Sequence, residues 1–203
     1  SSSFDFYRPN SPFRPLGQIS ETYVVCEGEN GDLVIIDQHA AHERLCYDKL
    51  KAEFEKGSVL KQNLLFPEVI TLSSGEAENI FLNIDLLLKL GFDVEKTDGN
   101  SFFVRTIPAV LSGEISNLAI LFSRIAENLH DSRSNLPVNE AVNKVFATIA
   151  CHRQIRAGKT LSILEMERLV SDVLSEKVTH CPHGRPALVQ FKKSELDKWF
   201  NRK

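Results

Sequence analysis

The stretch LVIIDQHAAHERLCYDKL, Leu33 to Leu50, brings a dense set of proton- and metal-binding side chains to one point of the chain. If a helix begins just after Asp37, His39 and Glu43 are spaced i, i+4 and share a face, so an imidazole and a carboxylate converge on one ion while Asp37 joins them from the helix entrance. Asp48 lies five residues beyond Glu43, less well aligned but near the same side. A second group is HCPHGRP, His180 to Pro186, in which Pro182 stiffens the backbone between Cys181 and His183. The third is ACHRQIRAG, which places Cys151 and His152 at the end of an apolar helical stretch.

Asp37, His39, Glu43, Cys151, Cys181 and His183 together exceed what a single tetrahedral zinc requires. Carboxylate oxygens suit Mn²⁺ or Mg²⁺ and the Cys/His donors suit Zn²⁺, so the mixture points to zinc organising a pocket and Mn²⁺ supporting turnover. Each pair alone is weak evidence, because i, i+4 His and Glu are common on helices and buried cysteines are ordinary small hydrophobes. Cys26 in a strand and Cys46 on the helix take that plainer role. The zincin spacing HExxH does not occur, since the Glu of HAAHE follows both histidines.

These side chains need elements to hold them. Leu33 to Ile36 is an apolar, largely β-branched run that reads as a buried strand. ETYVVCE and DLVIID form a hairpin across Gly28 to Gly31, with Asn30-Gly31 favouring the positive φ of a tight turn. A helix follows from about Ala40 to Phe54, with Asp37 where an N-cap or a strand-end ligand would sit. From Gln62 onward, LLFPEVITL, a helix over GEAENIFLNIDLLLKLG and a hairpin turning at Asp98-Gly99 make a compact β-α-β-β unit, with Gly91 ending the helix. Helices are expected over 116–129, 138–150 and 163–175. The strand ALVQF and a last helix SELDKWF after Cys181 could pair with the first hairpin. The fold class is α/β (α+β), with residues 16–60 and 137–203 forming one subdomain interrupted by a second at 61–136.

Composition narrows the function. With 42% hydrophobic and 25% charged residues among 203, the chain is globular and large enough for one substantial core or two smaller ones. A net charge of −3 argues against a broad basic surface for nucleic acid, so contact with DNA is local or assisted. No run approaches a membrane span. The opening SSSFDFYRPNSPFRP has no apolar h-region and reads as a linker remnant over residues 1–15, not a signal peptide. Four cysteines without secreted-type spacing suit a reducing, cytoplasmic setting.

DQHAAHERLCYD resembles the Asp-Gln-His-Ala-x2-Glu-x4-Glu motif of the nicking MutL proteins of DNA mismatch repair. ACHRQIRAG, CPHGRP and the terminal FNR resemble three further motifs of that family, so the likeness runs from about Leu16 to the end. It implies a C-terminal domain in which a dimerisation subdomain carries an endonuclease site and is interrupted by an external, regulatory subdomain. Asp37, His39 and Glu43 would be the catalytic and metal-binding core. Cys151, Cys181 and His183 would complete a zinc site beside it, Arg202 would line the site, and Arg185 would brace its loop. Two positions depart from the family pattern: Asp48 replaces the last Glu, and His152 stands where a basic residue is frequent.

The resemblance further implies nicking of the discontinuous strand of duplex DNA by a homodimer, with Zn²⁺ and Mn²⁺ or Mg²⁺ as cofactors and MutS among the partners. ATP belongs to the family's N-terminal ATPase, which this chain does not include. QNLLF resembles the short peptide by which bacterial proteins bind the β sliding clamp, with Gln62 for a polar pocket and Leu65 and Phe66 for an apolar one; the plainer alternative makes Leu64 to Phe66 strand core. The competing functional reading is a catalytically silent dimerisation module with a structural zinc.

Overall fold

The computed structural model describes residues 11–113, 117–134, 138–152 and 160–202. In chain order the elements are β1 (Phe13–Ile19), β2 (Tyr23–Gly28), β3 (Leu33–Asp37), α1 (Gln38–Glu55), β4 (Lys61–Thr71), α2 (Ser74–Leu82), α3 (Ile84–Lys89), β5 (Val94–Lys96) and β6 (Ser101–Pro108). Then come α4 (Leu118–Ser134), α5 (Val138–His152), α6 (Ile163–Ser175), β7 (Leu188–Phe191) and α7 (Lys193–Trp199). Two antiparallel sheets with helices make this an α+β fold, as the sequence predicts. No helix among the described residues is long and apolar enough to cross a membrane.

The chain divides into two compact units, residues 1–45 with 156–203, and residues 46–155. The boundaries differ from the expected 60/61 and 136/137. The reason lies in the core of the second unit, where Cys46 and Leu50 of α1 and Val145, Phe146 and Ile149 of α5 pack with the residues of β4 to α4. Of the segment expected to be a linker, residues 1–10 lie outside the described residues. Phe13 to Pro15 begin β1, an edge strand, where proline is tolerated because no partner requires its missing N–H.

In the first unit the sheet order is β1-β2-β3-β7. Val24, Cys26, Val34 and Ile36 alternate inward and pack on Met166, Leu169, Val170 and Val173 of α6. The hairpin between β2 and β3 turns through Asn30 (φ 66°) and Gly31 (φ 78°), the left-handed pair that Asn-Gly supplies most readily. The returning strand β7 pairs with β3, Ile36 opposite Leu188, confirming that the C-terminal strand completes the first sheet.

In the second unit the order is β4-β6-β5. The single helix expected over residues 75–91 is broken at Asn83 (φ −119°, ψ 20°), whose side-chain amide donates to the carbonyl of Asn79. Gly91 follows α3 with φ +91°, and a Cβ there would come within 3.2 Å of the Pro108 Cα, so both the backbone and the close packing call for glycine.

Candidate metal centre

Strand pairing in the first unit explains why distant residues meet. The last residues of β3 lie beside the first of β7: Asp37 N–H donates to the Ala187 carbonyl at 2.9 Å, and Ile36 is opposite Leu188. Whatever precedes β7 is therefore delivered to the point where α1 begins. What precedes it is the loop Cys181 to Pro186, closed by Cys181 N–H to Arg185 O (2.8 Å) and Gly184 N–H to Cys181 O (3.0 Å), with Gly184 at φ +82°. Arg185 braces this loop with its carbonyl, while its side chain is exposed.

Asp37 caps α1, because its Oδ1 accepts the Ala40 N–H at 2.9 Å. One turn later the spacing predicted from sequence holds: His39 Nε2 lies 3.1 Å from Glu43 Oε1. The other carboxylate oxygen, Oε2, has His183 Nδ1 at 3.8 Å. The Glu43 side chain is 8% exposed, whereas those of His39 and His183 are 42% and 48% exposed. Burying a carboxyl group to this degree costs hydration that hydrogen bonds, cationic partners or a metal offset. His39 Nδ1 is buried and has no hydrogen-bond partner among the described residues, which costs about 1–3 kcal/mol.

A family model described as the MutL C terminal dimerisation domain matches residues 16–161. The chain belongs to that family. It is 40% identical over 196 residues to the DNA mismatch repair protein MutL of Phenylobacterium zucineum, an alignment covering 93% of this chain and 31% of the relative. It is 36% identical over 210 residues to MutL of Caulobacter vibrioides (98% and 32%), and 38% identical over 195 residues to MutL of a Wolbachia from Brugia malayi (93% and 30%). The chain thus spans about a third of the length of the curated MutL relatives it matches.

Within this MutL domain, Glu43 and His183 of the first unit supply a carboxylate and an imidazole of the types that hold a metal ion. Cys151 is half-buried near the end of α5 in the second unit. Cys181 is buried in the core of the first unit, in one cluster with Val178 and Ala187. The four cysteines are thiols. Beside Cys151, burial pushes the His152 imidazole below its ordinary value; a hydrogen bond between Nδ1 and the Thr148 carbonyl at 3.0 Å opposes the shift, and Arg124 adds to it.

Arg202 follows α7 and is exposed, its backbone N–H donating to Asp197 O at 2.8 Å. Asp48 is half-buried on α1. The remainder of the ACHRQIRAG motif, residues 153–158, lies outside the described residues.

The QNLLF segment lies in β4, an edge strand of the second unit. Pairing with β6 is regular at Asn63 opposite Thr106 and resumes at Glu68 opposite Val104, so Leu64 to Pro67 bulge out of the ladder. Leu64 packs against the core, while Leu65 and Phe66 are 90% and 76% exposed. The strand-core alternative therefore fails for the latter two.

One feature that sequence reasoning passed over is Gln38, which is 2% exposed between two candidate site residues. Its burial is atypical for a glutamine and carries no periodic signal that would have revealed it.

Proposed function

We propose that this domain is a metal-dependent DNA endonuclease of the MutL type, which nicks the discontinuous strand of duplex DNA in mismatch repair and joins two copies of the protein. The observation that carries the reading is the buried Glu43 carboxylate with an imidazole at each oxygen, His39 and His183. The orphaned His39 Nδ1 at the start of the same helix supports a second cation beside a structural zinc.

Glu43, His183 and the thiols of Cys151 and Cys181 would hold Zn²⁺, and Asp37 and His39 would hold Mn²⁺ or Mg²⁺ with Glu43 shared. Bound there, divalent cations supply Lewis-acid chemistry, activating water and neutralising charge that builds on the phosphodiester oxygens. The protein's own part is positional. Asp37 spends Oδ1 on the α1 cap and so presents Oδ2 in a fixed direction, while the first turns of α1 orient His39 and Glu43. Arg202, exposed after α7, would contact a DNA phosphate.

Homodimerisation fits the sheet face turned away from the core of the first unit. Val25, Ile35 and Val189 form one cross-strand row, all apolar and none fully buried. Leu65 and Phe66 on the β4 bulge are the anchors proposed for the β sliding clamp, with Gln62 alongside. MutS is the further partner that the family resemblance implies.

The test is conversion of supercoiled plasmid to open circles in Mn²⁺ by the chain and by its Glu43→Gln form. Nicking by the unaltered chain and loss in the variant support the reading; nicking by both contradicts it.

A further inference from the structure

Gln38 stands between Asp37 and His39, yet it belongs to no donor set, and a buried primary amide must find hydrogen-bond partners. Its partner is Gln18 of β1: Gln18 Nε2 donates to Gln38 Oε1 at 2.6 Å. The other end of the Gln18 amide accepts the backbone N–H of Leu161, just ahead of α6, at 2.9 Å. A backbone N–H can only donate, so Gln18 Oε1 must be its acceptor, Nε2 must face Gln38, and Gln38 must answer with its oxygen. The backbone N–H of Gln38 is separately held by Thr22 O at 3.0 Å. The first residue of α1 is thus pinned twice, once through its backbone by the β1–β2 turn and once through its side chain by β1.

We propose that Gln18 and Gln38 are positioning residues of the metal centre: their amide bridge fixes the first turn of α1, and with it the approach of Glu43, the carboxylate that the zinc site shares with the Mn²⁺ or Mg²⁺ site. This rests on the metal-site reading above. The Asp37 cap and the Thr22 carbonyl hold the backbone at the helix start, and the side-chain bridge adds a hold on the residue directly before His39. Partners that orient metal ligands in this way are typically worth about 10- to 100-fold in metal affinity.

The test is zinc affinity, measured by competition with a chromophoric chelator, for the chain and its Gln18→Met, Gln18→Glu and Glu43→Gln forms, with thermal unfolding of each metal-free form alongside. Gln18→Met removes both hydrogen bonds at similar volume. Gln18→Glu keeps the acceptor for Leu161 and allows the Gln38 amide to turn over and donate to it. The expected result is zinc binding weakened about 10-fold or more in Gln18→Met and largely restored in Gln18→Glu. Unchanged zinc affinity in Gln18→Met, with or without a lower unfolding temperature, overturns the proposal, as does a loss that Gln18→Glu does not recover. Equal zinc affinity in the unaltered chain and Glu43→Gln overturns the metal-site reading and this proposal with it.

Discussion

His183 Nδ1 lies 3.8 Å from Glu43 Oε2, although one residue precedes β7 and the other sits on the helix after β3. The contact is a product of register: antiparallel pairing of β3 with β7 puts the exit of one strand beside the entrance of the other. Replacing Glu43 or His183 with alanine therefore removes a donor outright. The zinc content of purified protein, read by atomic absorption, should fall in both. In each, affinity should drop by more than the about 10- to 100-fold that outer partners cost. Full zinc occupancy in Glu43→Ala would rule out the assignment.

Phe66 is 76% exposed on the β4 bulge, so Phe66→Ala should change stability by no more than about 0.5 kcal/mol. If Phe66 is a clamp anchor, the same change should weaken binding to the β sliding clamp by more than tenfold, a loss above about 1.4 kcal/mol. Surface plasmon resonance against immobilised clamp reads this directly, and unaltered affinity would return Phe66 to the status of an ordinary exposed residue.

The row Val25, Ile35 and Val189 predicts the effect of a charge on the outer sheet face. Ile35→Glu should convert a dimer to a monomer in sedimentation velocity, because a carboxylate at the centre of an apolar interface is desolvated without a partner. A dimer that persists would place the interface elsewhere.

Glu76 at the start of α2 supplies a pH test of the second unit. The hydroxyl of Ser123, then the side chain and backbone of Ser73, hold its carboxyl below the ordinary glutamate range. A lowered folded-state pKa means that this contribution is present above the unfolded value near 4.5 and disappears as pH falls through the lower folded value. Glu76→Gln should therefore unfold at a lower temperature than the unaltered chain at pH 7, and the two melting curves should converge in strong acid. A gap that widens on acidification would contradict this.

Much of the fold was legible because its signals are local. The apolar run Leu33 to Ile36 and the Asn30-Gly31 turn each report their own element, the helix expected over 163–175 forms with those bounds, and His39 and Glu43 met at helical spacing as predicted. Features that depend on tertiary context were not readable. β1 carries Pro15 and Gly17 at an irregularity in its pairing, which masks it as a linker. The exposure of Leu65 and Phe66 depends on a bulge whose register is set by β6, many residues later. Burial of the Cys181 sulfur suits a ligand and a core thiol alike. The amide bridge from Gln18 to Gln38 leaves no periodic trace at all.

The central claim, a metal-dependent nicking site, is tested most directly at Asp37. Asparagine caps a helix about as well as aspartate, so Asp37→Asn should retain the α1 cap, the fold and the bound zinc while losing one anionic ligand. The measurement is nicking of supercoiled plasmid in Mn²⁺ by the unaltered chain and by Asp37→Asn, with zinc assayed in both. The predicted result is nicking by the unaltered chain alone at equal zinc content; equal nicking by both forms, or none by either, would contradict it.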